Sequence, residues 1–394
     1  MFLDRFRSPR FAITLVFGLN GALYGSWAAR IPAVQNRLDL GAGQLGIALA
    51  GVAAGALLAM PLAGSWAARL GSRRVTRAAL VGACLSVAVV ALSPSLGVLV
   101  AATLFLGMTN GSLDVAMNAQ GTAIERRSSG LILGSLHAAF SGGGLVGALT
   151  GAAAAGAGLD VRVHLALLGA VALALGLTAT RHLLPGHADA AAAGPRFARP
   201  SRALWALGLL AFCCLLAEGA AGDWSAVYVE DALGAPASQA ALAFAAFSAA
   251  MTLGRLVGDR LVAALGSVRL LRRSGLLAGL GLGAALVLAM PAAAIVGFGL
   301  LGAGLSVVIP AVFRSAAATP GAAPGPSLAL VSTLGYLGFL AGPPLVGGLA
   351  ELTSLPVALG AVALCAATTA TLAGATGRAP ADPRVAAAAE PARA

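Results

Sequence analysis

The segment Gln44-Leu-Gly-Ile-Ala-Leu-Ala-Gly-Val-Ala-Ala-Gly-Ala-Leu-Leu-Ala-Met-Pro-Leu-Ala-Gly-Ser-Trp-Ala67 carries no charge, and Ala68-Arg-Leu-Gly-Ser-Arg-Arg-Val-Thr-Arg77 closes it with four arginines. An apolar run of that length is long enough to cross a bilayer as a helix. The same alternation of apolar run and arginine-bearing break extends in both directions. It predicts twelve helices, at 11–30, 44–67, 76–93, 97–121, 131–155, 163–183, 203–229, 239–262, 270–289, 292–313, 327–350 and 356–375. When the breaks are numbered, 22 of the 25 basic residues fall at the N-terminus, in every second break, or at the C-terminus. The other breaks hold only Arg30, Arg37 and Arg162. Basic residues collect on the cytoplasmic side of a membrane, so the bias predicts two cytoplasmic termini and an even number of crossings.

Composition agrees with that reading. Hydrophobic residues make up 59% of the 394 positions and charged residues 10%, against about 25% charge in an ordinary soluble domain. Mean hydropathy is +0.91. The net charge of +11 is dispersed over the predicted cytoplasmic loops, where anionic lipid headgroups account for it. The bilayer is therefore the expected partner, and no nucleic acid is. Cys84, Cys213, Cys214 and Cys365 all fall inside apolar runs and read as small packing residues. No metal site or cofactor is expected. The N-terminal arginines and apolar run mimic a signal peptide, but the run continues to Ala29 without a small-residue cleavage site, so a retained first helix is expected.

The two halves of the chain repeat each other. Gly142-x-x-Leu145-Val146-Gly147-x-Leu149 returns as Gly342-x-x-Leu345-Val346-Gly347-x-Leu349. Asn20-Gly21 with Ser26-Trp27 is answered by Glu218-Gly219 with Asp223-Trp224, and Leu106-Gly107 by Leu301-Gly302. A same-sense repeat of six helices implies two bundles related by an axis along the membrane normal. The expected organisation is a six-helix bundle over residues 1–184, a cytoplasmic linker over 185–202, a second six-helix bundle over 203–376 and a disordered tail over 377–394. The fold class is an all-α membrane protein of twelve transmembrane helices in two pseudo-symmetric bundles.

The break after the second helix, Gly64-Ser-Trp-Ala-Ala68-Arg69-Leu-Gly71-Ser-Arg73-Arg74, resembles the G-x-x-x-D-R-x-G-R-R loop signature of the major facilitator superfamily. Ala68 stands where that signature has Asp. Gly254-Arg255-x-x-Gly258-Asp259-Arg260 is similar to the signature's second copy and keeps an Asp. The resemblance implies that Gly64, Arg69, Gly71, Arg73, Arg74, Arg255, Asp259 and Arg260 form a conformational latch between bundles. Four further motifs resemble the bacterial YbjJ-like transporters, related to the fucose-permease-like branch. They are Asp114-Val-Ala-Met-Asn118-Ala-Gln-Gly121, His137 with Ser141-Gly-Gly-Gly144, Glu218-Gly-Ala-Ala-Gly-Asp223-Trp224 and Gly342-Pro343-Pro344. The family resemblance implies alternating-access transport of a small solute with protons, by a monomer in the bacterial inner membrane, and no enzymatic activity.

Ionisable groups within a bilayer need a reason to be there. Asn110, Asp114 and Asn118 share one face of the fourth helix by their four-residue spacing, and read either as cavity lining or as helix–helix hydrogen bonding. By rise per residue, Asp114 and His137 both lie about 9 to 11 Å above the cytoplasmic interface. They read as a proton-coupling pair, with a static hydrogen bond or no contact as the alternatives. Glu218 reads as a cavity group or as the partner of a neighbouring arginine. Asn20, Tyr24 and Trp27 share one face of the first helix. With Ser141, Asp223 and Tyr336 these residues make up the expected substrate-binding set. Gly219 and Gly222 are expected to weaken the seventh helix, Trp224 and Tyr228 to suit interfacial anchors, and Pro343-Pro344 to kink the eleventh. Gly147-x-x-x-Gly151 reads as an intramolecular packing face. A proton-driven exporter of hydrophobic compounds and a non-transporting sensor remain as competing readings.

Overall fold

The computed structural model describes residues 8–128, 132–185, 201–319 and 324–378. Most of the expected linker and tail lies outside the described residues. Twelve helices are long and apolar enough to cross a membrane. Span 1 is Pro9–Leu38, span 2 Ala42–Leu70, span 3 Ser72–Leu92, span 4 Leu96–Glu125, span 5 Leu133–Gly156 and span 6 Val161–His182. Span 7 is Arg202–Ala232, span 8 Ala237–Leu265, span 9 Ser267–Leu288, span 10 Pro291–Ala317, span 11 Leu330–Leu352 and span 12 Leu355–Gly377. An even number of crossings puts Pro9 and Gly377 at the same end of the molecule, called here the termini-bearing end.

Span 1 runs well past its apolar segment, and the basic groups of its far end bond neighbouring helix ends. Ser8 caps its start by accepting from the Phe11 amide, and Pro9 occupies the first turn. At its far end Arg30 donates to the Leu159 carbonyl at 2.8 Å. Arg37 donates to the carbonyls of Ala91 and Ser93. Arg162, the third basic residue outside the main bias, holds Asp160 at 2.9 Å. All three guanidinium groups thus bind groups at neighbouring helix ends. Among them are carbonyls that a helix C-terminus leaves unpaired.

Packing follows the small residues. Span 1 lies along span 5, span 2 along span 4, span 7 along span 11 and span 8 along span 10. Spans 5 and 8, and spans 2 and 11, carry the main contacts between the first six spans and the last six. The close approach is backbone to backbone. A Cβ on Gly147 would sit 2.2 Å from the Ala22 carbonyl oxygen, and one on Gly107 would sit 1.8 Å from that of Val52. The expected intramolecular face at Gly147 and Gly151 is therefore the seam with span 1.

Three local expectations need correction. Span 10 is two helices, Pro291–Leu305 and Val308–Ala317, separated at Ser306 and Val307. The Ser306 hydroxyl bonds back to the Ala303 carbonyl at 2.7 Å, a competition that bends helices. Span 7 does not break at its glycines: it is α-helical from Arg202 to Val227 and ends in a π turn at Tyr228–Ala232. Gly222 instead makes room for Tyr24, whose hydroxyl would lie 2.0 Å from an added Cβ. Trp224 and Tyr228 are fully buried inside the protein, so neither is an interfacial anchor.

Candidate functional site

At mid-depth the spans enclose two adjoining chambers. The upper one, about 180 Å³, is lined by Asn20 and Tyr24 of span 1, Asn110 and Asp114 of span 4, Glu218 and Asp223 of span 7, and Tyr336 of span 11. Apolar residues of span 2, among them Leu49, Val52 and Ala56, form another wall. The lower chamber, about 410 Å³, extends toward the termini-bearing end and is lined there by Phe17, Asn118, His137, Phe313 and Val331. Met60, Asp114, Phe140, Glu218, Tyr336 and Phe339 border both chambers and form a waist between them. Beyond the upper chamber, Trp27, Trp224 and Tyr228 are at most 2% exposed and fill the opposite end.

Four-residue spacing on span 4 delivers the polar stripe to this waist. Asp114 accepts from the Tyr336 hydroxyl at 2.8 Å and from the Asn118 amide at 3.0 Å. The Tyr336 bond joins span 4 to span 11. Tyr336 and Asn118 therefore both bond Asp114, although Asn118 lines only the lower chamber. The Asp114–His137 contact is not made in this conformation. Asp114 is satisfied by its two donors, and His137 meets Phe17 edge-on with ring centroids 5.5 Å apart. Both residues nevertheless line the lower chamber.

Arg255 stands within a span and not in a loop. It lies on span 8 more than two turns before that helix ends, and it lines the lower chamber. Its guanidinium donates to Glu218 at 3.3 Å and to the Ser141 hydroxyl at 2.6 Å. The ion pair is largely shielded, with side chains 14% and 17% exposed. Both readings of Glu218 therefore hold, since it lines the chambers and pairs with an arginine. Ser141, which is buried, is the support of Arg255 and lines neither chamber.

The other residues of the expected latch are placed as follows in this conformation. Arg73 donates to the carbonyls of Thr180 and Arg181 at 3.2 and 2.8 Å, capping span 6. Asp259 accepts from Arg314 of span 10 at 2.8 Å. Gly71 is the single residue between spans 2 and 3 and has φ 84°, a conformation that costs glycine nothing. Gly64, Arg69, Arg74 and Arg260 are exposed. The true counterpart of Gly71 is Gly266, at φ 74° between spans 8 and 9. Leu70-Gly71-Ser72 and Leu265-Gly266-Ser267 are the signal that finds this match. It places Asp259 two turns before the loop.

Trp27 also departs from the expected set. Asn20 and Tyr24 reach the upper chamber, but Trp27 turns into a small recess beside it. Aromatic residues complete the walls. Tyr24 stacks with Phe140 at 6.4 Å and meets Phe244 edge-on at 5.7 Å, while Tyr336 leans on Phe339 at 6.0 Å. Phe140 was legible as the residue three positions after His137, on the same face. Phe339 stands in the same relation to Tyr336.

Known proteins of the same kind can now be set beside this geometry. An uncharacterised MFS-type transporter of Yersinia pestis is 36% identical over 357 residues, covering 91% of this chain and 93% of that protein. Membrane protein MosC of Rhizobium meliloti is 33% identical over 367 residues, covering 90% of this chain and 88% of its own length. Among solved structures, a mutant of the nucleoside transporter NupG superposes with TM-score 0.73 at 13% identity, covering 94% of this chain and all of that one (100%). A bacterial homologue of the lysosomal transporter Spinster, in an inward-facing and occupied conformation, gives TM-score 0.71 at 15% identity, covering 94% and 96%. The likeness to these two structures is one of fold. The profile of the Major Facilitator Superfamily matches residues 11–321. With that match and relatives 36% and 33% identical over 93% and 88% of their length, the chain belongs to the major facilitator superfamily, a family of membrane transporters.

Proposed function

We propose that this protein is a proton-coupled secondary transporter. It moves a small polar solute across the bacterial inner membrane by alternating access, with both termini in the cytoplasm. The first six and last six spans act as two bundles that rock about the chambers, and the YbjJ-like, fucose-permease-like motifs mark its branch. The observation that carries this reading is the Asp114–Tyr336 bond at the waist, between a carboxylate with no cationic partner among the described residues and a helix of the other half. A carboxylate accepts only, but once protonated it must also donate. Proton binding at Asp114 therefore remakes the bonds from Tyr336 and Asn118 and loosens the link between spans 4 and 11. His137 lies on the route between Asp114 and the termini-bearing end, and the lower chamber gives solute access from that side.

Proteoliposomes loaded against a pH gradient and screened with sugars, organic acids, amines and lipophilic drugs test the reading. Solute-dependent proton uptake is expected, with Asp114→Asn abolishing gradient-driven accumulation while leaving solute exchange intact. Full accumulation by Asp114→Asn removes the proton role, and uptake confined to lipophilic drugs favours the exporter.

A further inference from the structure

The upper chamber carries more acceptors than the described residues satisfy. Three carboxylates line it, those of Asp114, Glu218 and Asp223, and no arginine does. Asp114 is taken up by Tyr336 and Asn118. Glu218 gives Arg255 only one of its two oxygens. Asp223, at the closed end of the chamber, has no hydrogen bond or ion pair among the described residues. Asn20 is a second, independent pointer. It is 4% exposed and lines the chamber. Among the described residues its one side-chain hydrogen bond is from the amide nitrogen to the Met117 sulfur at 4.0 Å, and its side-chain oxygen has no partner there. The Tyr336 hydroxyl, a donor on the wall, is spent on Asp114.

Buried acceptors without donors are costly, and an unpaired carboxylate in an apolar surround more so. A solute that repairs this must bring donors and positive charge. An ammonium group brings three donors and no acceptor, and the Tyr24 and Phe140 rings offer faces that attract a cation. The volume, about 180 Å³, equals that of about six water molecules, which limits the solute to a small molecule.

We infer that the upper chamber takes a small organic cation: an amine bearing hydroxyl groups, with its ammonium at Asp223 and its further donors on Asn20 and Glu218. The inference rests on the transport reading above and narrows its solute. Arg255 is held by Glu218 and Ser141 beside the lower chamber, so it does not neutralise Asp223.

The test is binding to the purified protein, measured by thermal shift and by calorimetry, with matched probes. The amines 2-amino-1,3-propanediol and glucosamine are compared with their neutral counterparts glycerol and glucose, and with the acids glycerate and gluconate. Binding at least tenfold tighter for an amine than for its neutral counterpart is expected, with loss of that preference in Asp223→Asn. Equal or better binding of the neutral or acidic probes, or of none of the six, overturns the inference, and so does an unchanged amine preference in Asp223→Asn. The comparison within the wild-type protein stands even if the variant folds poorly. Proton-driven uptake of a neutral probe would leave the transport reading intact while removing the cation. Amine binding with no flux in proteoliposomes would do the reverse.

Discussion

Arg255 concentrates the electrostatics of the site at one residue. It satisfies Glu218 and Ser141 together, so it links spans 5, 7 and 8. Removing one partner of a buried pair leaves the other charge uncompensated, at a cost of about 3–5 kcal/mol when burial is complete. Because this pair faces a chamber, Arg255→Ala is expected to cost no more than about 3 kcal/mol, the lower end of that range. The loss is read as a fall in melting temperature. Glu218→Gln in the same background should recover most of it, since an amide tolerates the vacancy better than a carboxylate. A double variant no more stable than Arg255→Ala would show that the guanidinium stabilises by packing alone. From sequence this residue read as part of a loop latch, and neither its place within span 8 nor its partner was foreseen. Glu218 lies 37 positions away on another helix.

Helices here hold together through missing side chains and through caps. Gly107→Ala would push a methyl group into the Val52 carbonyl, and neither backbone can move without separating spans 2 and 4. Overpacking of this kind costs about 1–3 kcal/mol, so Gly107→Ala should lower the melting temperature while Gly97→Ala, whose added Cβ meets nothing within 4 Å, should not. Span 6 is capped by Asp160, which accepts from the Arg162 amide at 2.7 Å. The Arg162 side chain, then its amide, hold the Asp160 carboxyl down to about 2. A depressed value means that the cap is fully present above the unfolded carboxyl value of about 3.9, and is lost as pH falls through about 2. The protection of the Arg162 amide, its exchange taken relative to the unstructured rate at each pH, should fall only in that acid window; protection unchanged down to the lowest pH would contradict it.

The molecule as a whole is closed at the end opposite its termini. Asn36 donates to Glu230 at 3.3 Å, and the Gly43 amide to Glu351 at 3.1 Å, both between the first six spans and the last six. Alternating access requires these contacts to part. With Cys84, Cys213, Cys214 and Cys365 replaced, the pair Asn36→Cys and Glu230→Cys should be joined efficiently by a short bifunctional thiol reagent, and the joined protein should lose solute exchange. Exchange at the wild-type rate after joining would mean that this end does not open.

The arrangement of apolar runs was enough by itself to find the twelve helices that are long and apolar enough to cross a membrane, because suitability for lipid is a property of each segment's own composition. The polar stripe on span 4 was equally legible, since helical spacing alone puts Asn110, Asp114 and Asn118 on one face. Tertiary structure decided which groups meet. Asp114 found Tyr336 instead of His137, and Arg255 found Glu218 instead of a loop. Trp224 and Tyr228 went to the interior instead of the interface. Depth along a helix can be counted from sequence, but rotation about its axis is set by neighbours. In this protein those neighbours approach as closely as Gly21, Gly107 and Gly147 allow.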